Sequence, residues 1–226
     1  MTTLLIPGLL SDEHVWRRVL ALHGEDAIVA DITSADSITE MASRCLAAGE
    51  GPMIVAGHSM GARVALEMMR LAPGRISRLA LLNTGIHPPG PGEGEKRREM
   101  IRYGWQHGMA ALATRWLPPM VHRQTKPVMS GLTDMVLRMD EAFHERQVTA
   151  LAMRPDAISH LGDIDIPCLV MTGDNDRWSP VEQHRDITAA IPKARMEIIE
   201  GAGHFAPVEC PKAVADVLVP FLKGQA

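Results

Sequence analysis

The stretch MIVAGHSMGARVALEMM, residues 53–69, constrains the fold more than any other part of the chain. Met53, Ile54, Val55 and Ala56 make a short apolar run of the kind that forms a buried strand. Past Ser59 the pattern changes, and Ala62, Ala65, Leu66 and Met69 recur at helical spacing. A serine therefore sits where a strand turns straight into a helix, with Gly57 two residues before it and Gly61 two after. In so sharp a turn the serine backbone is strained. Side chains at the two flanking positions would collide with each other and with the neighbouring strand, and glycine removes the collision. The strain lifts the Ser59 hydroxyl clear at the sheet edge. Peptide N–H groups at the start of the new helix, that of Met60 included, face the same space and can stabilise an oxyanion.

The alternation continues along the chain. Residues 2–8, 27–33, 76–84, 167–174 and 195–201 read as further short strands. Between them, Ser37 and Glu40 form a capping box that opens a helix. Ser179, Pro180 and Glu182 supply an N-cap, a first-turn proline and a capping box, and Pro211 opens a closing helix. Short strands alternating with helices predict an α/β fold. The expected sheet is mostly parallel, of about six strands, with helices on both faces and its chemistry at the strand C-terminal ends. Residues 87–160 hold no convincing strand. They begin with a Pro/Gly-rich connector and continue into stretches that read as helices, 97–106, 110–116 and 133–153. The expectation is a core formed by residues 1–86 and 161–226, with residues 87–160 as a helical lid insertion over the sheet edge.

A serine hydroxyl is a weak nucleophile at neutral pH and needs a general base. His204 follows the Gly201-Ala202-Gly203 turn just past the last strand, at the same sheet edge. The base in turn needs a carboxylate to fix its tautomer and stabilise the imidazolium. The loop GDNDRWSP, after the fifth strand, offers Asp174 and Asp176. The chain order serine, aspartate, histidine is the order that follows a nucleophile elbow of this kind.

In combination, GHSMG, GDNDRWSP and GAGHFAPVECP resemble the motifs of α/β-hydrolase-fold serine hydrolases. The resemblance covers residues 2–84 and 165–221; the insertion matches the family's variable lid in position and helical character only. It implies that Asp176 is the triad acid and Asp174 a turn residue. It also implies that the second oxyanion N–H comes from Leu9, although the family's usual His-Gly is here Pro7-Gly8. Relatives that use a carboxylate after the fourth strand would place it where Asn83 and Thr84 stand. The leading expectation is a carboxylesterase acting on small to medium apolar acyl esters, with Ser59, Asp176 and His204 catalytic and no cofactor. Carbon–carbon bond hydrolases, enol-lactonases and thioesterases use the same triad, so the fold does not choose among them. The rival from another class is a non-catalytic ligand-binding module of this fold.

Within the insertion, Trp105, Trp116 and Met109 are the candidate substrate contacts, since a lid must present apolar surface to the acyl chain. Lys96, Arg97, Arg98 and Arg102 read either as a solvated helix face or as a docking patch for an acidic acyl-carrier protein. Trp16 is expected to anchor the first helix, and His58 to pack against the elbow. The histidines lack metal-ligand spacing, so no metal is expected. A net charge of -4 gives no argument for nucleic acid or an anionic membrane as a partner. No signal peptide or membrane span is read, and three scattered cysteines suit a reducing cytoplasm.

Overall fold

The structure, a computed structural model, describes residues 1–23 and 27–225. Its centre is a parallel sheet of six strands: β1 (Thr2–Ile6), β2 (Ile28–Val29), β3 (Met53–His58), β4 (Ile76–Leu82), β5 (Cys168–Gly173) and β6 (Ala194–Ile199). Their order across the sheet is β2-β1-β3-β4-β5-β6. Side chains alternate between the faces, because successive strand residues point opposite ways, with an irregularity at the start of β4. Leu4, Ile6, Val55, Leu79, Leu81 and Val170 enter one apolar layer, while Leu5, Ala56, Ala80, Leu82, Leu169 and Met171 enter the other. Both faces are buried, so the central strands read as unbroken apolar runs.

Crossover helices cover both layers. α1 (His14–His23) lies on one face, where α8 (Ala206–Glu209) and α9 (Pro211–Leu222) also pack; α2 (Ile38–Ala47), α3 (Met60–Leu71) and α7 (Val181–Ala190) lie on the other. Between β4 and β5 the chain forms α4 (Glu93–Trp116), α5 (Lys126–Leu137) and α6 (Glu141–Ala152). Every strand therefore delivers its C-terminal end, and the loop after it, to one edge of the sheet.

Several local expectations are corrected. The strand expected over 27–33 shrinks to Ile28–Val29, because the Asp31 side chain accepts from the Thr33 N–H (2.9 Å) and hydroxyl (2.6 Å) and turns the chain. The helix expected over 133–153 is two, because the Asp140 side chain accepts from Phe143 N–H at 2.6 Å and starts α6 afresh. α4 breaks at Gly108, whose φ of 81° is open to glycine at little cost. Ser37 caps α2 as expected, accepting from Glu40 N–H at 3.1 Å. Ser179 does not cap α7: the helix begins at Val181 after Pro180, and the Ser179 N–H is taken up by Asp176.

Candidate active site

Ser59 has φ 55° and ψ -116°, in the left-handed half of backbone space where side chains are strained. Its N–H donates to Leu82 C=O at 2.8 Å, and the Thr84 hydroxyl donates to its carbonyl at 2.9 Å, so the turn is held from β4. The two flanking glycines are sterically required. A Cβ on Gly57 would strike the Gly61 carbonyl and Ala62, and one on Gly61 would strike the carbonyls of Ile6, at the end of β1, and Pro7, just after it. The Ser59 hydroxyl caps nothing in α3. It donates instead to His204 Nε2 at 2.8 Å.

His204 Nδ1–H donates to Asp176 Oδ2 at 2.9 Å, and both side chains are all but sealed from solvent. Asp176 is saturated with donors. Its Oδ2 also accepts from the Asn83 amide at 3.0 Å, and its Oδ1 accepts the N–H groups of Trp178 and Ser179, each at 2.9 Å. Burial alone would raise this carboxyl. The His204 charge and hydrogen bond, the Ser179 N–H and the Asn83 amide outweigh it and hold the carboxyl down to about 2. Asp174 points elsewhere: its Oδ1 accepts from the Asn175 amide at 2.7 Å and Ala202 N–H at 3.3 Å, tying the turn after β5 to the loop after β6.

The His204 loop is gripped on several sides. Its N–H donates to Met120 C=O at 2.8 Å. Its carbonyl accepts from His58 Nε2–H at 2.8 Å. Burial, together with repulsion by His204, pushes His58 down to about 3, so this ring stays neutral; it packs edge-on to Trp16. The Glu209 carboxylate accepts four backbone N–H groups: Gly203 and Phe205, on either side of His204, at 3.1 Å each, and His122 and Arg123, between α4 and α5, at 2.8 Å each.

The Met60 and Leu9 N–H groups have no acceptor among the described residues, and both residues line the cleft above Ser59. Just beyond Leu9, Leu10 adopts φ 51°, and its N–H donates to Gln147 Oε1 of α6 at 2.8 Å. An insertion residue thereby fixes the turn that carries Leu9. Sequence reasoning passed over Gln147 and Glu209, and named Asn83 only as a place where some relatives carry a carboxylate. The one available signal was Asn83, a polar residue at the end of an apolar strand.

The cleft has a volume of about 780 Å³, and Ser59 lies in its wall. A second cavity, of about 380 Å³, lies behind Arg63 and Arg154 and touches none of Ser59, Asp176 and His204. Trp116 lines the main cleft, but Trp105 and Met109 do not. Trp105 is 57% exposed and donates to Glu145 at 2.9 Å, while Met109 is buried among core residues. Those candidates rested on residue type, and type alone does not say which face of α4 a side chain takes on either side of the Gly108 break. Trp178, beside the Asp176 loop, lines the cleft instead. The basic run divides: Lys96 and Arg97 face the cleft, while Arg98 and Arg102 share Glu95 in solvent. Among the described residues no cluster of three or more histidine, cysteine, aspartate or glutamate side chains is arranged to hold a metal. No described helix is long and apolar enough to cross a membrane.

A strained serine at a strand–helix elbow, a histidine on its hydroxyl and a buried aspartate behind the histidine form the site geometry of the α/β hydrolases. Residues 4–217 match the model of the alpha/beta hydrolase family, and the chain belongs to that family. It is 30% identical over 184 residues to a 2-hydroxy-6-oxononadienedioate/2-hydroxy-6-oxononatrienedioate hydrolase of Cupriavidus pinatubonensis, covering 74% of this chain and 61% of that protein. It is 25% identical over 177 residues to a putative 2-succinyl-6-hydroxy-2,4-cyclohexadiene-1-carboxylate synthase of Bacillus subtilis, covering 74% and 64%. The chain thus spans about three fifths of the length of these curated relatives. Among solved structures, a thermophilic esterase from Thermogutta terrifontis with malate bound superposes with a TM-score of 0.90 at 24% identity, over 100% of this chain and 90% of that one. The enol-lactonase of Burkholderia xenovorans superposes with 0.85 at 21%, over 98% and 91%. At such identity the likeness shows the fold.

Proposed function

We propose that the chain is a serine hydrolase that cleaves carboxylic esters through an acyl-enzyme. The observation that carries this reading is the relay from Ser59 Oγ to His204 Nε2 (2.8 Å) and from His204 Nδ1 to Asp176 (2.9 Å). His204 takes the Ser59 proton as the hydroxyl attacks the ester carbonyl, and the charge that develops on the carbonyl oxygen is met by the Met60 and Leu9 N–H groups. His204 then returns the proton to the leaving alcohol, and water repeats the sequence on the acyl-enzyme. Asp176, ionised throughout, holds the imidazole in the tautomer with Nε2 free. A fluorophosphonate probe, followed by a panel of esters, thioesters and lactones, tests it. A protein that is folded yet unlabelled at Ser59 would be a ligand-binding module instead.

A second reading is cleavage of a carbon–carbon bond or an enol-lactone, favoured by the names of the relatives above. It uses the same residues, and the substrate panel separates it by which member turns over fastest.

The pH dependence has a definite sign. Protonated His204 cannot accept the Ser59 proton, so kcat/KM should fall with a one-proton slope as the medium is made acid. The neighbouring groups change charge only well into the acid range: Asp176 is held at about 2, His58 at about 3, and burial pushes His144, on the cleft wall, down to about 4. A flat profile in protein shown by circular dichroism to stay folded would remove His204 from its role.

In this reading α4–α6 act as a lid that sets acyl preference. Met100, Trp116, Val148 and Leu151 give the cleft an apolar side. Each methylene buried there contributes about 0.8 kcal/mol, or roughly fourfold in rate. In a neutral straight-chain ester series kcat/KM should climb by about that factor per carbon until the pocket fills. A series with no length dependence would assign selectivity elsewhere.

A further inference from the structure

The cleft is cationic in an anionic protein. Six of its side chains are arginine or lysine, against two carboxylates, Glu93 and Glu99, whereas the whole chain carries a net charge of -4. Both carboxylates are already engaged. Glu93 is shared by Arg97 (2.8 Å) and Arg154 (2.8 Å), and Glu99 is bound by Arg115 (2.6 Å). Arg63 is left over. Among the described residues it has no carboxylate partner, and its one hydrogen bond goes to the carbonyl of His87 at 3.1 Å. A guanidinium has five N–H groups, so most of its donors are unused. The group is nevertheless largely withdrawn from water, with Arg97 and Arg154 near it. Burial and their repulsion push it down to about 9, still a cation at neutral pH. A half-buried cation beside two others is costly to keep for a single carbonyl contact, which a neutral donor would serve as well.

Its position supplies the reason. Arg63 stands one helical turn after Ser59 on α3, and helical side chains lean toward the N-terminal end of their helix, here the nucleophile end. We propose that Arg63, backed by Arg97, forms a carboxylate-binding subsite in the cleft, so that the substrate cleaved at Ser59 carries a second, free carboxylate. This rests on the serine-hydrolase reading and narrows its substrate class. The planar fork of arginine matches a carboxylate through two parallel hydrogen bonds and gives direction as well as charge. The scissile carbonyl is then oriented by a charged anchor at one end and the apolar wall at the other.

The test reads binding without needing turnover. Fluorophosphonate labelling of Ser59 is timed in the presence of succinate, glutarate or adipate, of the matching diamides, and of inorganic phosphate. At least one dicarboxylate should slow labelling about tenfold at concentrations where its diamide and phosphate do not, and the protection should fade as salt is raised. Arg63→Gln should weaken that protection by about tenfold to a hundredfold, the range for a lost charge-assisted hydrogen bond, and Arg63→Lys should restore part of it. Equal protection by the diamides or by phosphate overturns the carboxylate assignment. Full protection in Arg63→Gln overturns the role of Arg63. If Ser59 never labels, the nucleophile reading fails on its own, and calorimetric titration of the same dicarboxylates into the unaltered and Arg63→Gln proteins still decides the subsite.

Discussion

Ser59→Ala should abolish fluorophosphonate labelling and reduce ester turnover on the order of a millionfold, the scale of loss when a triad nucleophile is removed. The fold should survive. The Ser59 hydroxyl caps no helix, and the contacts that hold the elbow, Ser59 N–H to Leu82 and Thr84 to the Ser59 carbonyl, are made by backbone atoms that alanine retains. Alanine and serine also bear the same strain at φ 55°. The melting temperature should therefore move little while activity disappears. Mass spectrometry of the labelled protein and a thermal melt read the two outcomes together. Appreciable turnover by the alanine protein would move the nucleophile to another residue.

Asp176→Asn should cost on the order of ten-thousandfold in kcat, as expected when the carboxylate behind a triad histidine becomes an amide. One oxygen of Asp176 faces two backbone N–H groups, and the other faces the His204 ring and the Asn83 amide. An asparagine that keeps its oxygen on the backbone pair turns its NH₂ toward the ring and the Asn83 amide, which favours the wrong imidazole tautomer. Stability should fall as well, by about 1–3 kcal/mol for the buried groups left unpaired. The carboxyl of Asp176 is depressed to about 2. Its stabilising contribution is thus present above the unfolded value near 3.9 and lost as pH falls through about 2. The Asp176→Asn protein should lack that part of the acid transition. Asp174→Asn should leave activity within a few-fold, since an amide oxygen can still accept from Ala202 N–H. Steady-state kinetics and denaturation of both variants check the contrast; if Asp174→Asn were the crippling change, the loop would have been read two residues out of place.

What was legible in the chain follows the distance between partners. The elbow is written in a few adjacent residues, because strand, glycines and helix act on one another locally. The parallel sheet is legible for a similar reason: each buried strand carries its own apolar run. His204 and the pair Asp174 and Asp176 could be placed because their loops follow recognisable strands; the choice of Asp176 came from the family resemblance. The residues that hold these groups were invisible. Glu209 reaches back 87 residues to His122, and Gln147 lies 137 residues from Leu10. Arg63 was hidden differently, since one arginine on an apolar helix reads as an ordinary solvated side chain until its neighbours' charges are known. Trp105 and Met109 lie off the cleft wall, one against Glu145 in solvent and the other in the core, because apolar residue type does not say which way a helix turns a side chain.

The insertion is not a detachable part. It supplies Met120 C=O to the His204 N–H, two of the four N–H groups on Glu209, and Gln147 to the Leu10 N–H. The His204 loop and the Leu9–Leu10 turn, proposed as proton acceptor and oxyanion donor, are each braced by the same segment that walls the cleft. Exchanging that segment wholesale for another hydrolase's, the obvious route to a new selectivity, would unseat the chemistry along with the pocket. Retuning has to proceed residue by residue on the inner face of α4 and α6, with Met120, His122, Arg123 and Gln147 left in register. In the proposed reading, the groups that would do the chemistry and those that would set selectivity thus share one set of braces.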